Sequence, residues 1–556
     1  MQKRKWLKLN QNFRASRVGR SETAPYRWKM VGFLRSYPPY IYYIYYENTR
    51  QRFAELDKKV QKATRQRIAY QIAQKPIPKG NGAGRVATFT EKSLIEHELN
   101  KKRRHIPIRQ LVRRATKALQ AMKPCFMMSP LSVAQYLVPG QIEFDLLIMD
   151  EASQVRPEDA LGAIARSQQI MIVGDPKQLP PTQFFERLVN EEDETTALEG
   201  QESILDICLS IYQKGWLRWH YRSEHESLIA FSNRHFYDDE LIVFPAPVPQ
   251  HQGCGVHLNY IENATYFRGC NQKEAETVVA AVAAHFKNTP EFSLGVATFN
   301  MRQQALINEI LDERCQEDSW LEAQIKATEN TKEPFFIKNL ENVQGDERDV
   351  IFVSTTYGAD PETGKVFQRF GPISHEMGWR RLNVIFTRAK KRLELFTSMR
   401  SSQIHPKAKR GVQILKTYLE YAETGQLPID SGTETEIYSD FQIALSKILQ
   451  EQGYQTVLEV GVAGFRIDIG VLHPENQDEY ILGIECDGVH YHNAKSLRDR
   501  DRLRTEILES QGWKIHRIWS TDWFKHREAE IERLLKTLSA SSEGAKTEMA
   551  QIESKF

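Results

Sequence analysis

The chain is 556 residues long, 41% hydrophobic and 26% charged, with a net charge of +3. That leaves room for about three or four domains of roughly 150 residues, and it excludes a disordered polyelectrolyte or a global field that would announce a polyanionic partner. The six cysteines form no CxxC pair, which excludes a disulfide framework, and no apolar run nears the ~18 residues that span a bilayer.

The start, MQKRKWLKLNQNFR, is basic but has no apolar core behind it, so it is no signal peptide. With the scattered thiols, this predicts a cytoplasmic chain without a membrane segment. Residues 1–36 are irregular. The stretch YPPYIYYIYYENTRQRF (37–53) fits tyrosines packed between helices better than a base-stacking platform, because no glycine or turn framework surrounds it. Residues 47–75 and 91–122 are predicted helical, with the glycine-rich break IPKGNGAGR between them. The densest basic run, KKRRHIPIRQLVRR (101–114), suits either a solvated helical face or contact with a phosphate backbone.

From 144 the pattern changes. FDLLIMD and QQIMIVGD are short apolar runs ending in an acidic residue, separated by the helix-like PEDALGAIARS. Buried parallel strands have this look, and ligands then sit at the strands' carboxyl ends, where Asp150 and Asp175 fall. Residues 185–200 are an acidic surface connection. A second α/β unit follows, with strands LGVATFN (294–300) and RDVIFVSTT (348–356), the helix RQQALINEILDER, and the helix–strand segment RRLNVIFTRAKKRLELFTS (380–398). His251, Cys254 and His257, with Cys270 further on, have a loose metal-like spacing, but they read more simply as a loop leading into the strand VHLNYIE. After a polar stretch around 401–433, residues 436–535 form a third unit. It has a helix, the strands TVLEVGV, FRIDIGVL and YILGIECDG, a helix and the strand WKIHRIWS, followed by a loose tail.

Five motifs recur in a fixed order: Asp150-Glu151-Ala152-Ser153-Gln154, GDPKQLPPT (174–182), WHYRS (219–223), ENVQGDERDVIFVS (341–354) and RRLNVIFTRAKK (380–391). Together they resemble motifs II to VI of superfamily 1 helicases, in the AAA-type branch typified by the helicase of nonsense-mediated decay. The resemblance implies nucleic-acid-dependent ATP hydrolysis with Mg²⁺, Asp150 holding the metal through water and Glu151 activating the attacking water. It assigns Gln178 to sensing the γ-phosphate, and Arg222 and Arg388 to the charge on the transferring group. Gln344, Gly345 and Glu347 match the motif that links nucleotide to the strand-tracking surface. DNA is expected as partner rather than RNA.

One part of the pattern is missing. A phosphate loop, GxxxxGK[ST], should precede the first motif, and the nearest candidate, Gly80 to Arg85, lacks the Lys-Ser/Thr ending and a strand leading into it. The expectation is therefore the C-terminal part of a longer protein, or one half of an enzyme whose upstream chain bears that loop.

In the third unit, Asp468 lies on one strand and Glu485 and Asp487 near the end of the next, hard oxygens suited to Mg²⁺. With RDRDRLR…GW…RIW, this resembles the Vsr-like branch of the PD-(D/E)XK nucleases. The resemblance implies Asp468 and Glu485 as metal ligands and Asp487 where many relatives have Lys. It offers His490 or His492 as general acid/base, each of which could equally be a solvated or core-edge residue, and Arg500 or Arg502 on phosphate. Gln442 stands where relatives often have Glu, with Glu436 as a substitute.

The expected fold is α/β: two RecA-like lobes, the first incomplete and carrying a helical insertion, then a small restriction-endonuclease-like domain. The divisions are 1–122 (basic helical insertion), 123–200 (rest of lobe 1), 201–405 (lobe 2), 406–433 (linker), 434–535 (nuclease-like) and 536–556 (tail). The expected function is a helicase-type motor fused to a Mg²⁺-dependent endonuclease, acting in DNA repair or defence. The alternatives are a non-catalytic nucleic-acid-binding subunit and an inactive fragment.

Overall fold

The computed structural model describes residues 40–181, 203–248, 253–405, 408–427, 439–461, 464–477, 479–486 and 496–553. The chain enters on a long helix, α1 (Tyr40–Ala73), followed by three short ones, α2 (Glu91–Leu99), α3 (Ile108–Arg114) and α4 (Thr116–Met122), closed around buried Leu94, Ala115 and Ala118. The expectation of one helical stretch over 91–122 is corrected here. Pro107 is held at φ −55°, ψ 140° and cannot continue a helix, so the basic run is helical only from Ile108. Arg114 spends its charge internally, donating from Nε to the Phe89 carbonyl at 3.1 Å.

A further short helix, α5 (Pro130–Tyr136), leads to β1 (Phe144–Met149), which pairs in parallel with β2 (Ser167–Ile172) across α6 (Pro157–Ile164). Parallel pairing was expected, but burial on both faces was not met. Leu147 and Met149 pack on Ala160 and Ala163 and on Ile204 and Leu205 of α7 (Ile204–Ile211), while Leu146 and Ile148 alternate outward and are exposed. Among the described residues the strands form a two-stranded sheet, covered on one face only.

The second lobe opens with β3 (Trp219–His220), α8 (Ser227–Phe236) and β4 (Ile242–Val243), then builds a parallel five-stranded sheet. Its strands are β5 (Gly255–Tyr260), β6 (Leu294–Thr298), β7 (Phe336–Asn339), β8 (Arg348–Ser354) and β9 (Ala389–Thr397), in the order β5-β9-β8-β6-β7. The run VIFV of β8 reads as continuous apolar sequence because both faces are covered. Val350 and Phe352 pack on the side of α9 (Gln272–Asn288) and α10 (Met301–Glu317), and Ile351 and Val353 on the side of α12 (Gly378–Phe386) and α13 (Arg410–Thr424). The intervening α11 (Ser319–Thr328) caps the α9 side through buried Leu321.

The third unit is α14 (Asp440–Glu451) against a four-stranded sheet, β10 (Thr456–Val460), β11 (Ile467–Leu472), β12 (Tyr480–Cys486) and β13 (Ile515–Ile518), in sequence order. The first three strands are antiparallel, and β13 joins β12 in parallel after a π-helical turn (Asp499–Leu503) that runs into α15 (Arg504–Ser510). Two expectations change. The last strand stops at Ile518, and Ser520 opens α16 (Ser520–Glu553). Residues 536–553 are helical rather than a loose tail, because Leu534 and Leu538, one turn apart, are both fully buried on the sheet.

Candidate functional sites

The first site forms where lobe 1 meets lobe 2. β1 ends at Met149, and the chain then turns sharply, with Glu151 at φ 52°, a backbone state that a non-glycine residue holds only where its surroundings fix it. The turn lies against the chain just past β2: a Cβ on Gly174 would lie 3.0 Å from the Ser153 nitrogen, so glycine lets the two strand ends approach without one of them shifting. Asp150 Oδ1 accepts from the Glu151 N–H at 2.9 Å, and the Asp150 side chain stays exposed. Glu151 Oε2 accepts from Gln154 Nε2 at 3.3 Å and from Gln344 Nε2, on the second lobe, at 3.4 Å.

Gln178 completes the bridge. Its Nε2 donates to Asp175 Oδ2 at 3.0 Å, and its Oε1 accepts from Arg388 Nη2 at 3.3 Å and Gln344 Nε2 at 3.4 Å. Arg388 is buried and also donates from Nε to the Val384 carbonyl at 2.9 Å. Burial, with the Arg222 charge nearby, pushes its guanidinium down to about 10. Arg222 pairs with Glu347 at 2.8 Å, and Lys390 lies 3.5 Å from the other oxygen of that carboxylate. Gly345 turns at φ +87°, which presents Gln344 to lobe 1. Glu151, Gln178, Gln344 and Arg388 thus share one hydrogen-bonded cluster, while Arg222 and Glu347 pair with each other beside it.

Two residues that the motif assignments leave out join this cluster. Tyr237 donates its hydroxyl to Asp175 Oδ2 at 2.6 Å and accepts from Asn383 Nδ2 at 2.9 Å, and Asn383 also donates to the Lys177 carbonyl at 3.0 Å. Asn383 was visible as the polar residue inside LNVIF. Tyr237 lies outside all five motifs and gave no signal.

The second site lies on the sheet of the third unit. Asp468 and Glu485 face each other across β11 and β12, where Ile469 pairs with Ile484. Asp468 Oδ2 accepts from the Cys486 N–H at 2.7 Å, and Oδ1 from Gln442 Nε2 at 2.8 Å. Burial, opposed by the Cys486 bond and reinforced by Glu485 and Glu459 close by, pushes the Asp468 carboxyl up to about 6. Gln442 sits at the start of α14, where its Oε1 accepts from the Ser439 N–H at 2.8 Å in a capping box. That orientation turns Nε2 toward both Asp468 and Glu459 Oε1, the latter at 2.5 Å.

Glu459 was not foreseen. It lies on β10 opposite Asp468, between the pairs Leu458–Ile469 and Val460–Ile467, at φ 52°. Glu485 is buried and fully engaged, Oε1 accepting from Arg504 Nε at 2.9 Å and Oε2 from Arg517. Burial alone would raise its carboxyl, but Arg517 and Arg504 hold it below the usual range. The Gln442 amide N–H group already bridges Asp468 and Glu459, so a small divalent cation would fit between these carboxylates only once that amide turns away. Glu485 fits one only by leaving an arginine. Asp487, His490, His492, His251 and Glu436 lie outside the described residues. His257 bonds the Cys254 carbonyl through Nε2 at 2.8 Å, and no group of three or more metal-binding side chains is found among the described residues.

Comparison with known proteins gives a consistent outcome. Family models described as AAA domains match residues 45–186 and 200–400, and the model REase_MTES_1575 matches residues 441–538. The chain is 34% identical over 443 residues to the "Uncharacterized ATP-dependent helicase MG140" of Mycoplasma genitalium, covering 73% of this chain and 38% of that protein. It is 29% identical over 438 residues to the homologous helicase of Mycoplasma pneumoniae, with the same coverage. The chain therefore spans about two fifths of the length of these relatives, 38%. Among solved structures, the PRRSV helicase matches at 14% identity and a TM-score of 0.23, covering 50% of this chain and 40% of that one, too weak a likeness to carry an argument. Among the described residues no helix is long and apolar enough to cross a membrane. The chain thus carries two AAA-domain matches followed by an REase-type domain, and over most of its length it is similar to proteins described as ATP-dependent helicases.

Proposed function

We propose that the chain is the motor-closing part of a nucleic-acid-dependent ATPase, coupled to a Mg²⁺-dependent endonuclease domain acting on foreign or damaged DNA. The observation that carries the reading is the inter-lobe cluster of Glu151, Gln178, Gln344 and Arg388. In this reading Glu151 takes a proton from the attacking water. Gln178, held between Asp175 and Arg388, reports whether a γ-phosphate is present, and Arg388 and Arg222 meet the charge that develops on it. Asp150, which is exposed, would hold the Mg²⁺ that accompanies ATP, and Gln344, Gly345 and Glu347 would carry closure to the second lobe. In the third unit Asp468 with Glu459, and Glu485 if released, would hold Mg²⁺, which supplies polarisation of a phosphodiester.

A second reading, a nucleic-acid-binding subunit without catalysis, is favoured by the pairing of both Glu485 oxygens with arginines. The two are separated with the purified 556-residue chain. The expected result is Mg²⁺-dependent nicking of plasmid DNA that Asp468→Ala abolishes, with ATP turnover at background until a segment bearing the phosphate loop is supplied. Tight DNA binding without nicking would establish the second reading, and ATP turnover by the chain alone that Glu151→Gln removes would refute the need for that loop.

A further inference from the structure

The basic segment RDRDRLR of the third unit is already occupied, from within the chain. Arg498 grips Asp57 of α1 with both arms of its fork, Nε to Oδ2 at 2.8 Å and Nη2 to Oδ1 at 2.6 Å. Arg502 donates to the same Oδ2 from Nη1, and its Nε reaches Glu506 Oε2 at 3.3 Å. One carboxylate inside two guanidinium groups is the arrangement arginines make around a phosphate, since both ligands offer paired oxygens to a planar fork. The Asp57 side chain is only 9% exposed although it lies on a surface helix. Around it, Lys58 pairs with Glu506 at 2.8 Å, and Arg50 donates to the Asp501 carbonyl at 2.9 Å.

The contact is polar rather than apolar. Leu56 and Val60, the large apolar residues flanking Asp57, are exposed, so little buried surface holds α1 to this helix. Asp57 and Arg502 are each under a tenth exposed, so opening their pair outright is costly, but a phosphate that replaces the carboxylate keeps both guanidinium groups paired, which makes the grip exchangeable for a polyanion. An open groove beside the clamp is lined by Val60, Gln61, Thr64, Arg65 and Arg498, two of its five residues cationic. Two residues past Arg502, the same helix places Arg504 on Glu485, so the clamp and the candidate nuclease centre share one rigid element.

We propose that Arg498 and Arg502, with Arg65 at the groove, form a site for the phosphodiester backbone of nucleic acid, and that Asp57 occupies this site as a built-in phosphate mimic until the backbone displaces α1. The site deepens the proposed function but rests only on nucleic-acid contact, and not on ATP hydrolysis or cutting. It also explains why Arg502 is buried: it serves the latch in the unbound chain and the backbone in the bound one.

The test is binding of a short fluorescein-labelled single-stranded DNA, and of an RNA of the same sequence, to the full chain by fluorescence anisotropy at fixed salt in EDTA, where no metal-dependent cutting occurs. Asp57→Asn keeps the side-chain shape and removes the competing charge, so it should tighten binding about tenfold. Adding Arg498→Ala and Arg502→Ala to it should remove the gain. A gain with either backbone supports the site, and comparing the two tells which backbone it prefers. No gain, or a gain that survives loss of both arginines, overturns the proposal. In the unaltered chain, oligonucleotide should speed tryptic cleavage within α1, and unchanged or slower cleavage there also overturns it. Loss of nicking with intact Asp57→Asn tightening would count against the nuclease reading alone.

Discussion

Glu274 is fully buried at the start of α9, with no basic side chain paired to it among the described residues. Its Oε1 accepts from Ser354 Oγ and the Thr356 N–H, both at 2.6 Å. Burial, only partly offset by those two bonds, pushes the carboxyl from 4.5 up to about 8. Because the folded pKa is raised, the folded state binds the extra proton between the two values, and stability falls as pH rises through that window. Below about 4.5 both states are protonated, and above about 8 the cost is complete and the slope ends. Glu274→Gln should abolish this dependence and leave lobe 2 more stable than the parent at alkaline pH, read as hydrogen-exchange protection of β8 across that range. An unchanged slope in the variant would locate the titration elsewhere. At this scale the sequence exposes residues inside dense motifs, such as Asp150, Gln178 and Arg388, because their neighbours constrain them. Glu274, Tyr237 and Glu459 are invisible in it, since what matters is the partner each meets from a distant segment.

The elements were legible where one physical signal dominated. The continuous apolar run of β8 announced a strand covered on both faces, and the structure places helices on both. β1 and β2 carry the same signal, yet show an apolar face to solvent, because a run of Leu and Ile states the need for cover and not what provides it. The span 91–122 reads as one helical stretch because lysine and arginine propensity outweighs a single proline, whereas Pro107 parts α2 from α3 and Ala115, at φ −128°, ψ 26°, parts α3 from α4. Helix crossings leave still less trace. At Gly411, α13 lies so close to the turn before α12 and to its first residues that a Cβ there would lie 2.2 Å from the Ile373 carbonyl and 3.1 Å from the Trp379 nitrogen, both backbone atoms that cannot swing away. Further along, the Phe386 and Tyr418 rings stack with centroids 3.4 Å apart. Gly411→Ala should therefore destabilise lobe 2 by about 1–3 kcal/mol through overpacking, measured by urea unfolding. Because α12 ends two residues before Arg388, the variant should also loosen the Arg388–Gln178 bridge. A neutral substitution would mean the crossing has slack that the backbone distances deny.

At the scale of the whole molecule, the third unit is attached in two unlike ways. To α1 it is held by charge, through Asp57 and the arginines. To lobe 2 it is held by an apolar cluster in which Phe244 and Ile242 meet Val460, Phe465, Leu508 and Trp513, the last 3% exposed. Trp513 also donates from its indole N–H to the Pro245 carbonyl at 2.8 Å, and the Tyr480 N–H donates to Pro247 at 3.0 Å, fixing the orientation of the two units. An apolar contact with satisfied polar edges behaves as one cooperative core, whereas a charged contact can trade one anion for another. The third unit should thus move with lobe 2 when the lobes close, and exchange its grip on α1. Trp513→Ala removes the centre of the apolar contact and leaves the Pro245 carbonyl without its donor, at a cost of about 3–5 kcal/mol. Its expected signature in calorimetry is a split: lobe 2 and the third unit, which melt together in the parent, should melt as separate transitions. Asp57→Asn should leave that coupling intact, since it touches only the charged contact. A single unsplit transition in Trp513→Ala would show that the covalent connection between α13 and α14, rather than the apolar seam, makes the two units one.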